Sequence, residues 1–97
     1  MKKYAYIRVS SKDQNIARQV EAMESIGILE QNMFIDKQSG KNFYREQYQL
    51  LLKQLQPGDE LYIKSIDRLG RDYDEIQEQW RYLTKKINID IIVLEIK

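Results

Sequence analysis

Tyr6-x-Arg8-Val9-Ser10 and Asp67-Arg68-Leu69-Gly70-Arg71 are the stretches of this 97-residue chain where reactive residue types stand at a chemically useful spacing. Alternate residues of a strand share a face, so Tyr6, Arg8 and Ser10 point one way and Ile7 and Val9 the other. A hydroxyl beside a guanidinium is a competent attacker of a phosphate, which makes Ser10 the first nucleophile candidate. The plain alternative is that Ser10 and Ser11 only start a helix, and for a lone strand end it would win. For Asp67–Arg71 alone, a surface loop with ion pairs of roughly 0–1 kcal/mol would suffice. Two such clusters, both at strand ends, outweigh the plain account.

The elements that must position these residues are legible as periodicity. Lys3–Val9 alternates as a first strand. From Asp13, a capping residue, Ile16, Ala17, Val20 and Met23 share one helical face until Gly27 supplies a left-handed stop, followed by the hydrophobic Ile28 and Leu29. Met33–Ile35 makes a short second strand ending at Asp36, and Lys37–Asn42 reads as a mobile polar loop. From Arg45, helical spacing of Tyr48, Leu51, Leu52 and Leu55 runs to Pro57-Gly58-Asp59.

Glu60–Lys64 is the third strand, and Asp72-x-x-Glu75 resembles a capping box opening the longest helix, with Ile76, Trp80, Leu83 and Ile87 inward. Ile89–Ile96 is an apolar run expected of a strand covered on both faces. Strict alternation predicts a three-layer α/β/α fold with a mostly parallel four-stranded sheet and right-handed crossovers.

Bulk properties narrow the chemistry. The length suits one domain, and no apolar run is long enough to cross a bilayer. With no cysteine and no histidine, disulfides, thiol nucleophiles, histidine bases and the usual zinc ligands are excluded. The start lacks the apolar core of a signal peptide, so a cytoplasmic home is expected. A net charge of +1 gives no global pull toward nucleic acid, so phosphate binding must rest on local clustering.

In an open parallel sheet the carboxyl ends of the strands lie on one edge, where ligands bind. The first strand delivers Arg8 and Ser10 there, the second Asp36 and then Ser39, and the third Asp67, Arg68 and Arg71, while Arg45 begins the helix after the loop. Several guanidiniums around one hydroxyl make a phosphate site, because each fork can hold phosphoryl oxygens with two parallel hydrogen bonds. They also lower the cost of an alkoxide at Ser10, which partly answers the missing base. Asp67 could orient Arg68 or Arg71, or move a proton near the leaving oxygen.

Tyr6-x-Arg8-Val9-Ser10 with Gln14 and Gln19, then Asp36-x-x-Ser39-Gly40 and Asp67-Arg68-Leu69-Gly70-Arg71-Asp72, resembles the catalytic domain of the serine recombinases, the resolvase/invertase family. The resemblance covers essentially all of residues 1–97. It implies a metal-free, cofactor-free, site-specific DNA recombinase in which Ser10 attacks a DNA phosphodiester, leaving a 5′-phosphoserine link and a free 3′-hydroxyl. Arg8, Arg45, Arg68 and Arg71 would match the arginines that grip the phosphate, and Asp67 the active-site carboxylate. Tyr6, Gln14, Gln19 and Ser39 would match positions that shape the substrate pocket.

DNA and further copies, a dimer or tetramer of the full-length parent, are the implied partners. Ile66 stands where the family more often has Leu, and Phe43-Tyr44 places aromatics in a segment commonly small and polar. Family members continue into a dimerisation helix and a DNA-binding module, so this chain alone is expected to self-associate weakly and cleave poorly. Two other functions fit part of the pattern: a silent recombinase-like module that only binds DNA or a partner, and a phosphoacceptor domain with Asp36 as acceptor.

Overall fold

A computed structural model describes residues 1–10, 16–38, 45–70 and 72–95, with backbone alone at Ser10 and Gln38. The order of elements is β1 (Lys3–Ser10), α1 (Ile16–Ser25), β2 (Met33–Gln38), α2 (Glu46–Gln54), β3 (Glu60–Ile63), α3 (Tyr73–Arg81) and β4 (Asp90–Val93). The sheet runs β2-β1-β3-β4 with every pairing parallel. This is the expected three-layer α/β/α architecture.

Alternation along β1 separates two cores. Tyr4 and Tyr6 join Phe34, Leu61 and Ile63 under Tyr48 and Leu51 of α2, Leu55 at its end, and Leu69, Leu83 and Ile89. On the opposite face Ala5, Ile7 and Val9 pack with Met23 and Ile28 around α1. With α1 on one face and α2 and α3 on the other, the connections leave β1 and β3 in opposite directions. The crevice beyond the carboxyl ends of β1 and β3 is therefore the topological switch point, where such sheets bind ligands.

Local signals explain where elements stop. Gly27 takes φ +99°, and the Ile28 amide closes onto the Met23 carbonyl at 3.3 Å, a left-handed helix stop. Asp72 caps α3, its Oδ1 accepting from the Glu75 amide at 2.9 Å.

Other expectations are corrected. Lys37 and Gln38 continue β2 rather than opening the loop, because both pair in register with β1. Ala17 is exposed and Gln19 takes its place in the buried face of α1, while Leu29 is exposed after Ile28. Trp80 is not core, being 38% exposed, and Gln79 is the half-buried residue on that turn. Past Arg81 the helix widens into a π-turn at Tyr82–Ile87, which shifts the phase that sequence spacing assumes. β4 is an edge strand whose Ile91 and Val93 border the core under α2 and α3 and whose Ile92 borders the core around α1, all three only half-buried.

Gly70 marks a close approach between the β3–α3 turn and α3. A Cβ there would lie 2.8 Å from Cβ and Cγ of Glu75. Gly70→Ala is expected to cost about 1–3 kcal/mol through overpacking. Urea unfolding of Gly70→Ala, Glu75→Ala and the double variant checks this, with the pair recovering part of the loss as positive coupling.

Candidate active site

The site begins with a buried carboxylate. Asp36 lies in register with Arg8 across the β1–β2 ladder and is 6% exposed. Its Oδ1 accepts the Gln47 amide at 2.9 Å, and its Oδ2 accepts the Tyr48 amide at 3.1 Å. These are first-turn N–H groups of α2, which otherwise lack partners, and the positive end of the helix dipole favours the anion. Tyr6 donates its hydroxyl to Oδ2 at 2.8 Å. Burial, then the Asp36 charge and hydrogen bond, push the Tyr6 phenol above its ordinary pKa.

Fixing the start of α2 fixes Arg45, the buried residue just before it. Its guanidinium carbon lies 4.0 Å from the centre of the Tyr48 ring, and Nη1 donates to the Arg68 carbonyl at 3.2 Å. Arg8 reaches the same turn from β1, its Nη2 donating to the Asp67 carbonyl at 2.8 Å. Two consecutive carbonyls of the 3₁₀ turn Ile66–Leu69 are thus held by arginines from two other elements.

Arg68 is the third cation. Its Nη1 lies 3.5 Å from Asp67 Oδ2, while the Ser65 hydroxyl donates to Asp67 Oδ1. Burial opposes ionisation of Asp67, but the Ser65 bond and the Arg68 charge prevail and hold the carboxyl below its usual range. Asp67 is accordingly placed to orient Arg68. Burial lowers the Arg8 pKa from its ordinary value, and the Arg45 and Arg68 charges add to this against the pull of Tyr6 and Asp67. The Arg68 Nε is buried and makes no hydrogen bond among the described residues.

Arg8, Arg45, Asp67 and Arg68 are therefore brought together at the β1/β3 crevice. The backbone of Ser10 lies two residues beyond Arg8 at the end of β1, paired with Gln38. Beside Asp67 and Arg68 a cleft of ≈ 680 Å³ opens, lined also by Lys64, Ser65, Ile66, Val93 and Glu95. Arg71, Gln14 and Ser39 lie outside the described residues. Gln19 is buried on α1 with an unpaired Oε1, against the face opposite Tyr6, and no described contact joins it to the arginines.

Tyr6 is 0% exposed and donates its hydroxyl to Asp36. Spacing alone missed the supporting role of Asp36, since its partners lie 11 and 12 positions away. Asp36 is 6% exposed with both oxygens accepting hydrogen bonds.

The family described as "Resolvase, N terminal domain" matches residues 3–97. The chain belongs to this family. Resolvase relatives include the transposon Tn3 resolvase of Escherichia coli, 38% identical over 72 residues covering 74% of this chain and 39% of the relative. The transposon Tn501 resolvase of Pseudomonas aeruginosa is 38% identical over 81 residues, 84% of this chain and 41% of the relative. The transposon Tn21 resolvase of Escherichia coli is 36% identical over 88 residues, 90% of this chain and 45% of the relative. The chain spans less than half the length of these curated relatives. Among the described residues no helix is long and apolar enough to cross a membrane.

Removing Asp36 should strand two helix amides and a buried hydroxyl, so Asp36→Ala is expected to cost about 3 kcal/mol and Tyr6→Phe about 1 kcal/mol. Denaturant unfolding of the two variants checks the ranking. A carboxyl held low, as Asp67 is, stabilises the fold above the unfolded-state value of about 3.9, and that contribution vanishes as pH falls through the folded value. Asp67→Asn should therefore show a shallower loss of Tm than the parent between about pH 5 and pH 2, measured by thermal unfolding.

Proposed function

We propose that residues 1–97 form the catalytic domain of a serine site-specific recombinase, a DNA strand transferase whose full-length form works on DNA as a dimer or tetramer. The observation that carries this reading is the gathering of Arg8, Arg45 and Arg68 from three separate elements at the switch point, with Ser10 closing the strand that bears Arg8. Three crowded cations with one nearby carboxylate favour an anion of spread charge, and a buried Arg68 Nε without a partner suits an anionic oxygen.

Ser10 is the proposed nucleophile. Its Oγ forms a bond to phosphorus as the P–O3′ bond breaks, its proton passes to solvent, and the departing 3′ oxygen takes up a proton. Arg8, Arg45, Arg68 and, by its place in the motif, Arg71 bind the non-bridging oxygens and the charge that builds on them. Asp67 orients Arg68. Gln14, Gln19 and Ser39 are assigned to the walls of the pocket on family resemblance, and Tyr6 acts through Asp36.

The full-length chain, incubated with supercoiled DNA carrying its recombination site and quenched in detergent, should leave protein joined to 5′ DNA ends. Ser10→Ala should abolish the adduct, and Arg68→Ala should lower its rate about 10²–10³-fold. An adduct that survives Ser10→Ala overturns the assignment, as does site-specific binding with no adduct from the parent, the behaviour of a silent DNA-binding module.

A further inference from the structure

Tyr48 is placed more tightly than core filling requires. It is completely buried, its amide is held by Asp36, and its ring lies 5.0 Å from that of Tyr6 at 57°. Its hydroxyl donates to Gln79 Oε1 of α3 at 2.5 Å. A phenylalanine would fill the same volume with no polar obligation, whereas a buried hydroxyl costs stability unless it is paired. The pairing fixes the far end of a ring whose face carries the Arg45 guanidinium.

We infer that Tyr48 and Gln79 are positioning residues for the arginine cluster: the ring, pinned from α3, sets the attitude of Arg45 and through it the Arg68 carbonyl. This deepens the recombinase reading and rests on it for its catalytic consequence, but not for its geometry. The link runs from Gln79 to the Tyr48 hydroxyl, across the ring to Arg45, and from Nη1 to the turn that carries Asp67 and Arg68. A tilt of α3 against α2 is thereby read out among the cations that would hold the phosphate. Phenol ionisation does not interfere, because burial holds the Tyr48 pKa above its ordinary value.

The discriminating variant is Tyr48→Phe with Gln79→Leu, which removes both polar partners and keeps the packing, an exchange that is close to neutral for stability. On the 97-residue chain, the Arg45 Nε–Hε resonance should be shifted upfield by the Tyr48 ring current, and this shift should shrink in the double variant while Tm stays within a few degrees. In the full-length chain the cleavage rate should fall about tenfold with DNA affinity unchanged, the mark of misplacement rather than lost binding.

An Arg45 resonance unmoved in the double variant overturns the inference, and so does a moved resonance with an unchanged cleavage rate. Gln79→Leu alone, which keeps the aromatic ring, must move the resonance in the same direction, and no movement there also counts against it. If the recombinase reading itself fails, Ser10→Ala keeps the adduct while the Arg45 shift still answers the geometric question.

Discussion

One buried carboxylate conditions the rest of the site. Asp36 carries no described cationic partner; its charge is balanced by two amides at the start of α2 and one phenolic hydroxyl from β1. Hydrogen bonds to a charged group contribute roughly 1.5–3 kcal/mol each, and the helix N-terminus adds a favourable field, so both offset the desolvation of Asp36. The mechanical result matters more than the energy. Asp36 joins β1, β2 and α2 at one point, and Arg45 follows because it is the residue that enters the helix so anchored.

From that anchor the arginines act first on backbone. Arg8 and Arg45 hold the carbonyls of Asp67 and Arg68, so the turn after β3 is shaped by residues from β1 and from the start of α2. Burial and mutual repulsion make such crowding costly, and the lowered pKa of Arg8 records that cost. A fold that retains like charges in this arrangement concentrates positive potential where a phosphate would relieve it. The Ser65 hydrogen bond and, after it, the Arg68 charge hold the exposed Asp67 carboxyl below its usual range.

Much of this frame was legible because it rests on local periodicity. The alternation of β1 sorted Tyr6 and Arg8 from Ile7 and Val9, and the Asp72-x-x-Glu75 pattern placed the start of α3. What escaped is set by tertiary contact. Nothing near Asp36 in sequence announces that it will cap a helix 11 residues on, because ordinary capping acts within three positions. Helical spacing placed Trp80 on the inner face with Ile76 and Leu83, yet it is 38% exposed and Gln79 turns inward, where it accepts the buried Tyr48 hydroxyl. The half-exposure of β4 on both faces goes with its place at the edge of the sheet, which no pattern within β4 encodes.

If the recombinase proposal holds, the choice of arginine over lysine follows from a double duty these cations would carry. A guanidinium presents five N–H groups in one plane, so it can bond a backbone carbonyl along one edge and a phosphoryl oxygen along another without changing rotamer. A lysine ammonium has a single donor centre on a flexible stem and would have to leave the carbonyl to meet the phosphate. At Arg8 and Arg45 the carbonyl bonds are what give the Ile66–Leu69 turn its shape, so a cation that let go on binding would loosen Asp67 and Arg68 at the moment charge develops. On that proposal structural and electrostatic roles would fall to the same side chains, and a planar, multi-donor cation sustains both at once.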